Sequence, residues 1–282
     1  MMKKPMHSTA FLRFAGLSLV ILCLSPSAPG QQPVTDGPVP GTVRINATDE
    51  QEYVWIPAGT FEMGCVPDDI TCDEDEQPRH TVTLSRGFWM GRTEVTVGAY
   101  ERFATAGGQP MPDAPDFNPA WRLKDHPIVR VEWGHAQSYC AWAGGGLPTE
   151  AQYEYAGRGG VDGAKYPWGD TASHDYANYE GVEGADQWPH TAPGGKFPPS
   201  KFGVHDLAGN VWEWTADWYR EWYYARSQEI DPQGPEHGVE KVLRGGSWFN
   251  TPRVLRISDR FKYVVRAQDN SLGFRCVCVT LP

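Results

Sequence analysis

Between Tyr166 and Pro199 the chain follows neither a helical nor a strand period; Gly, Pro, Asn, Asp and aromatic residues dominate. Such a stretch exposes backbone N–H and C=O groups that need partners. Loops longer than ~12–15 residues are uncommon unless they are functional or tied down. The chain must therefore fold around an irregular centre. One means of holding it is aromatic: 12 Trp and 12 Tyr accompany 31 Gly and 24 Pro. Large flat rings cover loops, and their N–H and O–H groups bond to them. Bound metal is a second means. No internal repeat and no second domain stands out among the 282 residues. From the residues alone the chain reads as a secreted, loop-rich α+β domain.

The N-terminus has the layout of a secretory signal peptide over residues 1–30. Lys3, Lys4 and Arg13 precede the apolar run Phe14–Leu24, and Ser25–Gly30 is rich in small residues and proline. The run is too short to span a bilayer comfortably, so no membrane span is expected after cleavage. Cys23 suggests a lipoprotein signal, but Leu22 before it matches that pattern poorly. The expected destination is export, periplasmic or secreted. Removing residues 1–30 takes away three positive and no negative charges, so the net charge falls from −10 to −13. A protein this acidic, with no basic cluster, repels nucleic acid and anionic lipid. Residues 31–51, with several prolines and little apolar content, read as a flexible linker. Within them Asn46-Ala47-Thr48 is a glycosylation sequon in a eukaryotic host. The folded domain is expected over residues 52–282.

Periodicity places two short strands in YVWIPAGTFEMG and another at His80–Leu84. A helix is predicted near Val95–Ala106, where Val97, Tyr100 and Phe103 recur at helical spacing. A second runs from about Glu132 to Ala143. A third starts at Thr149, which forms a capping box with Gln152. Closing strands are predicted near Val242–Gly245 and Gly273–Val279. Export permits disulfides, and five cysteines follow residue 30. Cys65 and Cys72 flank the acidic loop VPDDIT and are placed to close it. Cys276 and Cys278 alternate along one strand and point to the same face, so they do not suit each other; either suits Cys140.

Three segments are the most distinctive: GVHDLAGNVWEWTADW (Gly203–Trp218), RGGSW (Arg244–Trp248) and GFRC (Gly273–Cys276). With IPAGTFEMG, TEVTVGAYERF, HPIVRVEW, SYCAW, LPTEAQYEYAGRGG and YPWG they resemble, in order over Tyr53–Val279, the formylglycine-generating enzyme or sulfatase-modifying factor family. That resemblance implies a C-type-lectin-like variant fold of low regular secondary structure. It implies the pairing Cys140–Cys276, which leaves Cys278 as a buried free thiol. It implies two structural calcium sites. One carries over to the side chains of Asn178 and Asp186 with the carbonyls of Tyr179 and Trp188. The other carries over to Asp206, the carbonyls of Gly209 and Val211, and Glu213. A turn offering carbonyls between two carboxylates suits calcium, which prefers oxygen. Spacing alone favours a blander role for Asp206 and Glu213, as caps of a turn and a helix.

The family oxidises a cysteine of a client sulfatase, using a copper ion held by two thiolates, and soft thiolates select Cu(I). The resemblance puts Asn250 and Leu255 at the two thiolate positions, and an amide and an alkyl group cannot replace them. Catalytic residues of that kind, and copper, are therefore not expected. Two more family cysteines, forming a second disulfide, fall at Gly157 and Arg260. Eight histidines include no HxH or HxxxH pair, and only a scattered set such as His126, His135 and Glu132 offers a substitute metal site. The substrate groove of relatives carries over to Trp212, Ser247, Trp248, Arg253, Arg256 and Arg260. Arginine and aromatics anchor recognition sites, but arginines also pair with core carboxylates such as Glu213 and Asp217. The leading expectation is an exported family member without formylglycine-generating activity. It binds a peptide, protein client or small ligand in the old groove, or helps mature an exported product. The alternatives are an oxidase or maturation enzyme of altered mechanism, which needs a transition metal or cofactor, and true formylglycine generation, which needs the placement of Asn250 and Leu255 to be wrong.

Overall fold

The computed structural model describes Met1 and residues 37–281; the expected signal peptide, with Cys23, lies outside the described residues. Strands β1 (Val43–Ile45), β2 (Glu52–Ile56), β3 (Gly59–Met63), β4 (His80–Leu84) and β5 (Phe88–Gly91) come first. Helices α1 (Val97–Thr105), α2 (Trp133–Trp142) and α3 (Glu150–Arg158) follow. Strands β6 (Trp212–Trp218), β7 (Glu240–Arg244), β8 (Phe261–Val264), β9 (Leu272–Gly273) and β10 (Val277–Cys278) close the fold. One antiparallel sheet runs β1-β2-β5-β10, and a second runs β8-β7-β6-β9 with β9 parallel to β6; β3 and β4 form a hairpin.

The helices form where the sequence places them. Thr96 caps α1 by accepting from Ala99 N, and Val97, Tyr100 and Phe103 are buried. The α3 capping box is formed: Gln152 N donates to Thr149 Oγ1 at 3.1 Å and Thr149 N to Gln152 Oε1 at 2.9 Å. The helix ends at left-handed Gly159. Rings fill the core between α1, α2 and the strands: Tyr100, Phe103, Tyr139 and Phe274 pack edge-on or stacked. Trp214 is fully buried, yet its Nε1 donates to Val131 O at 2.8 Å. Each ring this deep contributes ~1.5–3 kcal/mol by burial, and the polar edge stays satisfied.

Three expectations are corrected. Residues 43–51 are not linker: β1 pairs with β2, Asn46 Nδ2 donates to Ala143 O at 2.8 Å, and buried Asp49 accepts from Tyr53 and Tyr139 hydroxyls. Polar side chains, not apolar content, tie this segment down. The burial of Asn46 also closes the sequon to glycosylation. The strand expected over Gly273–Val279 is two strands, because β9 joins β6 in one sheet and β10 joins β5 in the other. Finally, Glu213 caps no helix: WEWTADW is β6, an inner strand. The disulfides are Cys65–Cys72 and Cys140–Cys276, and Cys278 is free and buried.

Candidate functional site

The irregular centre is organised around the turn Asp206–Val211, which enters β6. Asp206, Gly209 and Asn210 all have positive φ. At Gly209 a side chain has no room, since a Cβ would lie 2.2 Å from Asn178 O. The turn brings buried carboxylates together. Glu213 is held by Arg275, with Nε to Oε2 at 2.7 Å and Nη2 to Oε1 at 2.6 Å, and Tyr153 Oη donates to Oε1 at 3.0 Å. Asp206 Oδ2 accepts from Gly195 N at 2.7 Å. Glu94, between β5 and α1, accepts from Asn210 Nδ2 on Oε1, while its buried Oε2 has no partner. Burial raises the pKa of all three acids, Asp206 to about 6, and Glu94 is raised well above its ordinary range. Three carboxylates thus face one guanidinium.

A second oxygen-rich spot lies in the loop 178–188. Asp186 accepts from Trp188 N, Tyr179 N and His174 Nδ1 at 3.1, 3.3 and 3.2 Å. Asn178, 1% exposed, donates to His190 O at 2.7 Å, and its Oδ1 has no partner. The two spots are bonded: Asn210 N donates to Asn178 O at 2.8 Å. Both brace the loop after β7. Gly209 N donates to Gly245 O, Trp248 N to Asn210 O, and Glu180 N to Asn250 O. On that loop Trp248 meets Phe117, His190 and Phe249 within 6 Å, centroid to centroid.

The Sulfatase-modifying factor enzyme 1-like domain matches residues 40–279. The chain belongs to the sulfatase-modifying factor family. It is 31% identical to the formylglycine-generating enzyme of Mus musculus, covering 91% of this chain and 80% of the relative. It is 34% identical to that of Thermomonospora curvata, covering 79% and 92%. The fold of PvdO from Pseudomonas aeruginosa superposes with a TM-score of 0.75 at 29% identity, covering 86% of this chain and 99% of that one. The C-type-lectin-like variant fold expected from the motifs is the family fold observed. A further relative, 36% identical over 54% of this chain and 50% of its own length, is the inactive C-alpha-formylglycine-generating enzyme 2 of Bos taurus.

Of the expected calcium ligands, Asn178 Nδ2 lies 3.4 Å from Trp188 O and Asp186 accepts from Tyr179 N and Trp188 N, whereas Asp206, Gly209 and Val211 lie along the turn entering β6 and Glu213 pairs with Arg275. The donors are hard oxygens, and the buried, unpartnered Asn178 Oδ1 suits a cation in the first set; in the second, Arg275 holds both oxygens of Glu213, and the unpartnered oxygen is that of neighbouring Glu94. Glu94 and Arg275 escaped the reading of the sequence. The signal was present, since TEV and GFRC are family pieces, but only the fold shows that they converge on Glu213.

The groove residues divide. Trp248 is half-buried and Arg253 exposed, but Trp212 and Ser247 are buried; Trp212 stacks on Phe261 at 5.2 Å. Arg256 and Arg260 are not available to a ligand at all. Arg256 donates to both oxygens of Glu76 at 2.7 Å and to Asp259 at 3.1 Å. Arg260 pairs in bidentate fashion with Glu150, at 2.6 and 3.0 Å. These partners are not the expected Glu213 and Asp217, but Asp217 also serves α3, accepting from Glu150 N at 2.8 Å. From the acidic run 73–76, beyond the Cys65–Cys72 loop, Glu76 neutralises Arg256 and Asp73 pairs with Arg253; Arg260 is neutralised by Glu150 of α3.

At the expected thiolate positions, Asn250 Oδ1 accepts from Ser247 Oγ at 2.6 Å, and Leu255, 1% exposed, packs with Tyr166, Ala177, Tyr179 and Ala208. Among the described residues the one free thiol is Cys278, whose pKa burial pushes up to about 12, so it stays protonated. A two-thiolate copper site does not fit this donor set. At the other two cysteine positions, Ile257 fills the space above Gly157 and Glu150 holds Arg260. His126 instead bonds Thr191, and the scattered histidine set does not assemble. Among the described residues, only Asp73, Glu76 and Asp259 bring three His, Cys or carboxylate ligand atoms within 4.8 Å, and Arg256 already pairs with two of them.

Proposed function

We propose that this chain is an exported member of the family that uses its scaffold for recognition and does not make formylglycine. The observation that carries this is the state of the sulfur: among the described residues, two disulfides and one buried, protonated thiol leave no thiolate pair for copper. Asn250 and Leu255 stand where the family signature expects the pair. Calcium at the Asn178–Trp188 and Asp206–Glu213 sites is structural in this reading, and it braces the loop 245–250. The recognition surface is the aromatic group Phe117, His190, Trp248 and Phe249, with exposed Arg253 following in the chain and paired with Asp73, and it suits a peptide, protein client or small ligand with apolar and aromatic character. Two disulfides agree with an oxidising compartment, and no helix among the described residues is long and apolar enough to cross a membrane.

The test is a turnover assay on residues 31–282, calcium-loaded, with copper, oxygen, a thiol reductant and a Cys-x-Pro-x-Arg peptide. The expected outcome is an unchanged peptide mass. Conversion of its cysteine to formylglycine overturns the proposal and demands another redox centre.

A further inference from the structure

Beyond the groove, a cleft of about 400 Å³ opens between the segment 73–75 and strand β8. Asp75 is 8% exposed and lines it. Its Oδ2 accepts from Tyr219 Oη at 2.7 Å, whereas the buried Oδ1 has no hydrogen-bond partner. Glu74 and Glu221 stand at the same cleft, exposed and without an ion pair among the described residues. Arg260 reaches the cleft wall, but its guanidinium is occupied by Glu150 and by the Asp75 carbonyl. Lys262 therefore supplies the remaining positive charge, and it lies over the Tyr219 ring at 4.2 Å instead of on a carboxylate. Phe261, 47% exposed, supplies an apolar wall, and Trp222 and Tyr263 on neighbouring segments are also exposed.

An unpartnered buried carboxylate oxygen, two unpaired acids and a flat ring in one recess define a chemistry. We propose that this cleft receives an arginine side chain of a partner polypeptide. The guanidinium donates to Asp75 Oδ1 and to Glu74 or Glu221, and its plane lies against Phe261. Arginine suits the recess better than lysine, because its fork serves several carboxylates at once and its face stacks on a ring. A polypeptide suits it better than a free small cation, because the exposed aromatic side chains beside the cleft offer contact area to flanking residues. The site is separate from the Trp248 surface, none of whose residues line it.

The experiment is an NMR titration of residues 31–282 with acetyl-Gly-Arg-Gly-amide and with the same peptide carrying citrulline, which keeps the shape and loses the charge. The arginine peptide is expected to shift the Tyr219 and Phe261 signals, and citrulline to weaken binding roughly tenfold. Asp75→Asn, which leaves an acceptor for Tyr219, and the surface variant Glu221→Gln are each expected to weaken the arginine peptide. Lys262→Ala is expected to tighten it. No binding, equal affinity for citrulline, or unchanged affinity in Glu221→Gln and in folded Asp75→Asn overturns the assignment.

Discussion

Replacing Arg260 by methionine separates a recognition arginine from a structural one. In the fold its guanidinium makes two bonds to Glu150 and one to Asp75 O, and lies 4.2 Å from the Tyr224 ring centroid. Methionine keeps part of the stem and removes every bond. Glu150, 2% exposed, is then left to Arg244 Nη1 at 3.2 Å and Tyr224 Oη at 3.1 Å. Breaking a buried pair by removing one partner costs ~3–5 kcal/mol. At ~2–4 °C per kcal/mol for a domain of this size, that is a fall in Tm of roughly 6–20 °C. Arg253→Met is the internal control: its pair with Asp73 is about half exposed on both sides, and such pairs contribute ~0–1 kcal/mol. Urea unfolding of both variants, with slopes compared, reads the difference. Equal midpoints for the two variants at an unchanged slope would refute the assignment of Arg260 to the core.

Other perturbations test the remaining parts. Burial raises the Asp217 pKa to about 7. The folded protein therefore holds a proton that the unfolded chain releases above its ordinary value of 3.8. Stability from this group is full below that value and is lost as pH rises through about 7. Asp217→Asn should flatten the fall in Tm between pH 5 and 8, and an unaltered profile contradicts the burial argument. Removing Cys140–Cys276 by a double alanine substitution should cost ~2–5 kcal/mol in urea unfolding. Gly209→Ala should lower Tm by several degrees, because its Cβ meets Asn178 O at 2.2 Å and its φ is +86°. If calcium binds as proposed, a chelator should lower the wild-type Tm and added calcium at about 100 times its Kd restore ~2.7 kcal/mol. A Tm indifferent to both removes calcium from the account.

Elements whose signals are local were legible. The α3 capping box, the α1 apolar period and the HTVTL alternation each rest on residues within one or two turns of each other, and all formed. The family motifs put Asn178, Asp186, Asp206 and Glu213 forward as calcium ligands, which the chelation experiment tests. What was not legible depended on partners distant in the chain. Residues 43–51 look like linker by composition because polar contacts hold them, from Asn46 to Ala143 and from Asp49 to Tyr139. β6 escaped notice because it opens on alternating Trp, Glu and Trp and carries a second acid, Asp217; Glu213 is neutralised by Arg275, 62 positions on, and Asp217 is held by the Glu150 N–H. Glu94, 119 positions before Glu213, joins its cluster only through the fold.

By itself the sequence determined the family, the places of the helices and the excess of negative charge, since each is a property of residue identity or short-range spacing. Tertiary structure alone decided what the arginines do. Arg253, Arg256 and Arg260 lie within one short segment and look alike as a basic, aromatic surface. The fold turns Arg253 to solvent and drives the other two against Glu76 and Glu150. A buried guanidinium needs a buried carboxylate, and which carboxylate lies within 3 Å is set by packing between segments far apart in the chain.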